Sequence, residues 1–178
     1  ILPDTQVKAG VPIDHLTAAG NFVVSKQPNV IIHLGDHWDM PSLSSYDKGT
    51  KKAEGRTYQQ DIDAGIEGMM AFLTPILEYN AKRRKYKEKQ YKPRMVFLLG
   101  NHEERIMRHV NANPELSGKC SYQDFKLEDM GWEVHDFLEM VEIDGVMYSH
   151  FFANPNTGRP WGAVARTRLN NIGFSFTM

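Results

Sequence analysis

Four short polar segments of this 178-residue chain combine residue types that can bind metal ions and move protons. They are Asp4-Thr5-Gln6, residues 35–39 (Gly-Asp-His-Trp-Asp), residues 100–103 (Gly-Asn-His-Glu) and His150, and each comes just after an apolar run. Carboxylate, amide and imidazole groups together suit divalent metals such as Mn, Fe or Zn. Two such ions can clamp both the attacking and the leaving oxygen of a displacement at phosphorus. The four segments therefore predict a metal site suited to phosphoester chemistry.

The apolar runs that precede these segments predict the strands that position them. Residues 30–34 and 95–99 are short β-rich runs closed by glycine, and residues 1–2 read as the end of a further strand. Residues 141–148 predict a hairpin, because their central Asp-Gly suits a tight primed turn. Ligand sites in α/β sheets collect at the carboxyl ends of strands. The polar segments are therefore expected to converge although they are far apart in sequence.

Helical periodicity separates these strands. Residues 13–26 and a long segment from about Tyr58 through Leu77 carry apolar side chains at helical spacing, and Pro75 is expected to kink the longer helix. Residues 103–110 and 161–171 predict two more helices, the second followed by a last strand. Strands that alternate with helices, with a hairpin late in the chain, predict an α/β fold in which residues 1–178 form a single domain.

The bulk composition favours a protein of the cytoplasm without a membrane span. Lys and Arg number 21 against 22 Asp and Glu, so the net charge of −1 provides no global field for nucleic acid or acidic lipid. The single cysteine excludes an intrachain disulfide, and no apolar stretch is long enough to cross a bilayer. The chain begins with Ile-Leu-Pro and ends in an apolar run, a pattern that predicts a fragment of a longer protein.

The motif set resembles the calcineurin-like metallophosphoesterases, most closely those of tailed bacteriophages and bacteria. The resemblance rests on Gly-Asp-x-x-Asp at residues 35–39, Gly-Asn-His-Glu at residues 100–103 and the later His150, in the order and spacing of that family. It implies a four-layer α/β/β/α sandwich, here incomplete at both ends. It also implies a hydrolase, a phosphatase or phosphodiesterase, that uses two divalent metal ions.

The resemblance also implies a role for each residue. Asp4 would bind the first metal, Asp36 would bridge both metals, and Asn101 and His150 would bind the second. A metal-bridging hydroxide would be the nucleophile. His102 would act as general acid toward the phosphoester substrate, and Asp39 would hold the His102 imidazole in the required tautomer.

Two departures from the family pattern affect the metal set. The first motif usually reads Asp-x-His, whereas this chain has Gln6, whose carbonyl oxygen is a weaker ligand than imidazole. The family closes its set with Gly-His-x-His, or with glutamine as the last residue, and this chain stops at Met178 before such a motif. The parent protein is expected to continue with Gly-His. The 178-residue piece alone is expected to bind metals poorly.

Three further interpretations stay open at the level of sequence. Loss of ligands could leave a non-catalytic scaffold on the same fold. His37 lies inside the Gly-Asp loop and is a candidate substrate contact, as is Asn101, although His37 could equally be solvated. The basic run from Lys82 to Arg94, with two interleaved tyrosines, could clamp nucleic acid and make the protein a nuclease. The same run is more typical of a solvated helix end, where cations oppose the helix dipole.

Overall fold

A parallel three-stranded sheet forms the centre of the protein. The computed structural model describes residues 1–47, 49–51 and 54–161. In chain order, the helices are α1 (Asp14–Lys26), α2 (Tyr58–Lys85) and α3 (Arg105–Ala112), and the strands are β1 (Val30–His33), β2 (Arg94–Leu98), β3 (Glu133–His135), β4 (Val141–Ile143) and β5 (Val146–Tyr148). Short 3-10 helices lie at Pro41–Leu43, Pro114–Leu116 and Tyr122–Phe125.

The order of the parallel sheet is β1-β2-β3. Beyond β1, Leu2 makes a single parallel bridge to His33, so the predicted first strand is reduced to one pair. Strand β3 was not predicted, because three residues of which two are polar carry too little periodicity to be recognised. Since β1 and β2 are adjacent and parallel, their carboxyl ends lie at the same edge, as the sequence predicted.

Two apolar clusters cover opposite faces of this sheet. On one face, α1 and α2 pack on Ile31 and Phe97. On the other face, the hairpin residues Val141 and Ile143 pack on Ile32, Val96 and Leu98. This division follows the alternation of side chains along each strand. The described residues are therefore a mixed α/β structure, in which a helical layer, a small parallel sheet and a small antiparallel sheet follow one another.

Helix α2 supports the loop that follows β1. It begins with a capping box, in which the Thr57 hydroxyl accepts from the Gln60 N–H and the Gln60 side chain accepts from the Thr57 N–H. The helix continues through Pro75 to Lys85. The indole of Trp38 lies on Gly65, where a Cβ atom would overlap the ring. Glycine at position 65 thus lets a bulky loop residue approach the helix backbone.

The remaining predictions have mixed outcomes. The hairpin is confirmed, with Asp144 and Gly145 both at positive φ as a type I′ turn requires. Helix α3 begins two residues later than predicted. The predicted helix at 161–171 and the last strand lie outside the described residues, apart from Trp161. No helix in the described part of the chain is both long and apolar enough to cross a membrane.

Candidate metal centre and active site

The loops after β1 and β2 are joined by one buried carboxylate, that of Glu103, which is 0 % exposed. Its Oε2 accepts from the N–H groups of Asp36 at 2.9 Å and Gly100 at 2.8 Å, and its Oε1 accepts from those of His37 at 2.8 Å and Trp38 at 3.0 Å. Burial raises the pKa of Glu103, and the N–H groups of Trp38, Asp36 and Gly100 oppose that shift. Glu103 therefore joins the two loops through four hydrogen bonds.

Three of the predicted metal ligands lie together at the edge formed by these loops. His150 Nε2 is 3.0 Å from Asn101 Oδ1 and 3.7 Å from Asp36 Oδ1. His150 Nδ1 lies 2.6 Å from the carbonyl oxygen of Leu34, which can only accept, so this nitrogen carries a proton and donates. In the neutral ring, Nε2 then presents a lone pair to the two oxygens. The tautomer is the one expected for a metal-binding histidine whose other nitrogen donates to a main-chain carbonyl.

The Asp4-Thr5-Gln6 segment lies beside the same edge, but its two predicted ligands are not inserted among the other three. The Gln6 N–H donates to the carbonyl oxygen of Asp36 at 2.9 Å, which fixes the segment against the Gly-Asp loop. The side chains of Asp4 and Gln6 are exposed. Across the described residues, no group of three or more His, Cys, Asp or Glu side chains is arranged to hold a metal ion. One converging ligand, Asn101, is an amide and falls outside that set.

His102 and Asp39 form the predicted pair of imidazole and carboxylate. His102 Nδ1 lies 3.1 Å from Asp39 Oδ1 and 2.9 Å from the main-chain oxygen of Asp39. This hydrogen bond raises the pKa of His102, although burial opposes the shift, and it lowers the pKa of Asp39 to about 2. His102 Nε2 lies 3.8 Å from Asp36 Oδ2, so the imidazole faces the converging ligands. The pair therefore has the geometry that a positioned general acid requires.

Two cations beside this pair were not singled out from the sequence. The Lys8 ammonium lies 3.1 Å from Asp39 Oδ2. Arg105 donates to the carbonyl oxygens of Asp39 at 2.7 Å and Met40 at 3.2 Å, and its other terminal nitrogen lies 3.2 Å from His102 Nε2. Position 105 follows His102 by three residues at the start of a helix, a spacing that could have indicated the contact. Nothing in the sequence around Lys8 indicates its partner.

A polar groove opens next to the His102–Asp39 pair. It has a volume of about 420 Å³, and its wall includes Asp39, Arg105, Lys8, Arg56 and Asp61. Both cations and carboxylates line it, so it offers donors and acceptors to a bound molecule. Asp39 and Arg105, which line the groove, both contact His102, so the groove lies beside that imidazole.

The predicted substrate contact of His37 is contradicted by its burial. The side chain is 0 % exposed, with Nδ1 2.6 Å from the Thr5 hydroxyl and Nε2 2.9 Å from the carbonyl oxygen of Gly65. Both ring nitrogens are thus occupied inside the protein, and neither is available to a substrate. His33 is also buried, and its ring stacks on Phe97 at 4.7 Å between centroids. Asn101, the other predicted substrate contact, lies among the converging ligands.

The two buried histidines predict a loss of stability in mild acid. Burial lowers the pKa of His37 from its ordinary 6.5 to about 4, and burial lowers the pKa of His33 as well. Below pH 6.5 the unfolded chain therefore binds protons that the folded chain does not. For His37, the free energy of unfolding should fall by up to about 1.4 kcal/mol per pH unit as the pH drops from 6.5 toward 4, and His33 should add a fall of the same sign.

Urea unfolding at intervals between pH 6.5 and 5 measures this slope, in a range above most carboxylate titrations. His37→Gln should reduce the slope, because it removes one of the two titrating groups. His15→Gln, at an exposed position, is the matched control and should change the slope much less than His37→Gln, because burial rather than His15 is the main cause of the His37 shift. An equal slope in the wild type and the His37 variant would contradict a neutral buried imidazole.

The basic run from Lys82 to Arg94 lies away from the candidate site. Arg94 begins β2, whereas Asn101 follows the end of that strand, so the run and the site lie at opposite edges of the sheet. Arg94 is bonded through two nitrogens to Glu133, and Arg83 pairs with Glu88 at 3.2 Å. These two cations are therefore already neutralised by carboxylates of the chain.

Comparison with known proteins gives this chain no relatives: no family model, curated protein or solved structure matches it.

Proposed function

We propose that this chain is the core of a metal-dependent phosphoester hydrolase, a phosphatase or phosphodiesterase of the calcineurin-like type. One observation carries the proposal. When the His150 ring is neutral and the Asn101 amide is oriented as it is, the lone pairs of three atoms meet: His150 Nε2, Asn101 Oδ1 and Asp36 Oδ1, the last of which also accepts from the His102 N–H at 2.9 Å. A divalent cation would satisfy all three, and the imidazole, amide and carboxylate set suits Mn, Fe or Zn. The residues present therefore fit the second of the two metals.

The residues expected to hold the first metal are Asp4, Gln6 and Asp36. Their loops are adjacent, since Gln6 bonds to the Asp36 backbone, and both side chains of the first loop are exposed to an incoming ion. When bound, two divalent ions would lower the pKa of water toward neutrality and withdraw charge from a phosphoryl oxygen. Asp36 has two oxygens, so it can serve both ions.

The other residues of the site would handle the proton and the substrate. His102 would donate the proton of Nε2 to the leaving oxygen. The proton on Nδ1 would stay on the ring, in its hydrogen bond to Asp39. Because Arg105 lies at hydrogen-bonding distance from Nε2, protonation of that nitrogen would free the Arg105 N–H for a substrate oxygen. Lys8 would keep Asp39 ionised. The polar groove would hold the leaving group.

The fold and the site favour this proposal over the two alternatives. The order of a helical layer, a parallel sheet and a hairpin matches three successive layers of the proposed α/β/β/α sandwich. A non-catalytic scaffold would have no need to keep His102 and Asp39 at hydrogen-bonding distance beside a groove. A nuclease that used the run from Lys82 to Arg94 would bind nucleic acid at the edge opposite the site.

The proposal is tested by calorimetric titration of Mn²⁺ into the full-length protein, together with hydrolysis of p-nitrophenyl phosphate and its bis ester. The expected result is binding of divalent metal and hydrolysis that depends on it. Asn101→Ala and His150→Ala should each weaken metal binding by at least about tenfold, since mutation even of residues that only support the ligands lowers metal affinity by that much. Asn111→Ala and His15→Ala, both at exposed positions, are matched controls. Metal affinity that is unchanged in the first two variants would reject the proposed ligands.

A further inference from the structure

The Thr5 hydroxyl lies between two buried histidines and contacts both. Its oxygen is 3.1 Å from His33 Nε2 and 2.6 Å from His37 Nδ1. The two imidazoles are 1 % and 0 % exposed. Neither ring contacts the proposed substrate site directly, so a role in proton transfer to the substrate does not account for their positions. Both rings instead contact Thr5, a residue of the first motif.

The outer partners of the two rings fix the direction of every hydrogen bond in this group. The Gly35 N–H lies 3.1 Å from His33 Nδ1, so that nitrogen accepts and His33 Nε2 donates to the Thr5 oxygen. The carbonyl oxygen of Gly65 lies 2.9 Å from His37 Nε2, so that nitrogen donates and His37 Nδ1 accepts from the Thr5 hydroxyl. A hydroxyl can accept and donate at the same time. The series of hydrogen bonds from the Gly35 N–H to the Gly65 carbonyl oxygen is therefore continuous only if residue 5 carries a hydroxyl group.

We propose that Thr5 is a positioning residue for the first metal, setting Asp4 and Gln6 in place through His33 and His37. The inference rests on the proposed function. Thr5 stands between the two exposed ligands, and Gln6 has φ of +43°, a backbone conformation that few side chains favour. The hydrogen bonds to both histidines, with that from Gln6 N–H to Asp36, hold the segment in this conformation. The side chain of the middle residue thus anchors the segment inward while its neighbours face outward.

Thr5→Val and Thr5→Ser separate the hydroxyl from the shape of the side chain. Valine keeps the branched shape but can neither donate nor accept, whereas serine keeps the hydroxyl. Affinity for Mn²⁺ in the full-length protein should fall 10- to 100-fold in the valine variant, as for other supporting residues of metal sites, and should be restored in large part by serine. Thr17→Val, at an exposed position of α1, is the matched control. Wild-type affinity in Thr5→Val would overturn the positioning role.

The imidazole ¹⁵N signals of the metal-free protein provide a second readout that does not depend on metal. Both His33 and His37 should be neutral with the proton on Nε2 in the wild type and in Thr5→Ser. In Thr5→Val, His33 loses its acceptor and His37 loses its donor, so one or both signals should shift toward mixed tautomers. A proton on Nδ1 of either ring in the wild type would contradict the hydrogen-bond relay, that is, the series of bonds from Gly35 through His33, Thr5 and His37 to Gly65. This outcome would hold even if the valine variant failed to fold. Absence of metal binding by a wild type with the expected tautomers would reject the proposed function and the positioning role, and leave the relay standing.

Discussion

Glu103→Gln is expected to lower the free energy of unfolding by about 3–5 kcal/mol, because each carboxylate oxygen of Glu103 accepts two buried N–H groups. The side-chain amide of glutamine keeps one acceptor oxygen, but an NH₂ group replaces the other. That NH₂ group, itself a donor, would face two N–H groups that have no other partner. Leaving buried donors without a partner costs about 1–3 kcal/mol for each group. The loss would be a large fraction of the stability of an ordinary domain.

Chemical denaturation of purified protein at neutral pH measures this effect. Glu115→Gln makes the same chemical change at an exposed position and should alter stability by less than about 0.5 kcal/mol. Glu103→Ala removes both acceptor oxygens, and with them all four hydrogen bonds, and should be less stable than the glutamine variant. Stability within 1 kcal/mol of the wild type in Glu103→Gln would show that the two loops do not depend on this carboxylate.

The second large effect concerns activity. His102→Ala in the full-length protein should lower kcat by about 10²–10⁴, the usual contribution of a positioned general acid. The loss should be greater for an alkyl phosphate than for p-nitrophenyl phosphate, because nitrophenolate leaves readily without a proton. His15→Ala is the control for removal of an imidazole from an exposed position. Equal losses on both substrates would assign His102 a purely electrostatic role, and full activity would end the proposed mechanism.

Asp39→Asn provides the companion measurement for the same pair. Asp39 raises the pKa of His102 through their hydrogen bond, so its neutralisation should lower that pKa. A general acid works only while protonated, and the alkaline limb of the pH profile of kcat/KM should therefore move to lower pH. An unshifted limb, with activity retained, would separate Asp39 from the control of His102.

The sequence predicted the site to the extent that short local patterns determine it. Runs of β-branched and aliphatic residues that end in glycine indicated β1 and β2, and parallel pairing then brought Asp36 and Asn101 to one edge. The fate of His37 could not be predicted in this way. Its burial depends on a contact with Gly65, 28 residues away, whose backbone is open to the loop only because it lacks a side chain.

The start of α3 shows the same limit at shorter range. An apolar pattern places the first turn at residue 103, but Glu103 turns back to bond Gly100 and the loop after β1, so the helix begins at Arg105. The start of the helix is therefore set by N–H donors of a loop distant in sequence, and local helix propensity cannot predict that contact. The contacts of Lys8 and Arg105 likewise depend on which loops lie next to each other. Of the two, only the contact of Arg105 could have been predicted, from its helical spacing to His102.

The contact between Trp38 and Gly65 makes the residue allowed at either position depend on the residue at the other. A larger residue at 65 becomes acceptable only if position 38 shrinks, and any shift of the α2 backbone there also displaces the partner of His37. A chimera that takes α2 from another chain should therefore take residues 36–38 from that chain as well. A helix transplanted alone would bring a compatible apolar face, but its backbone at position 65 would not fit the loop formed by residues 36–38.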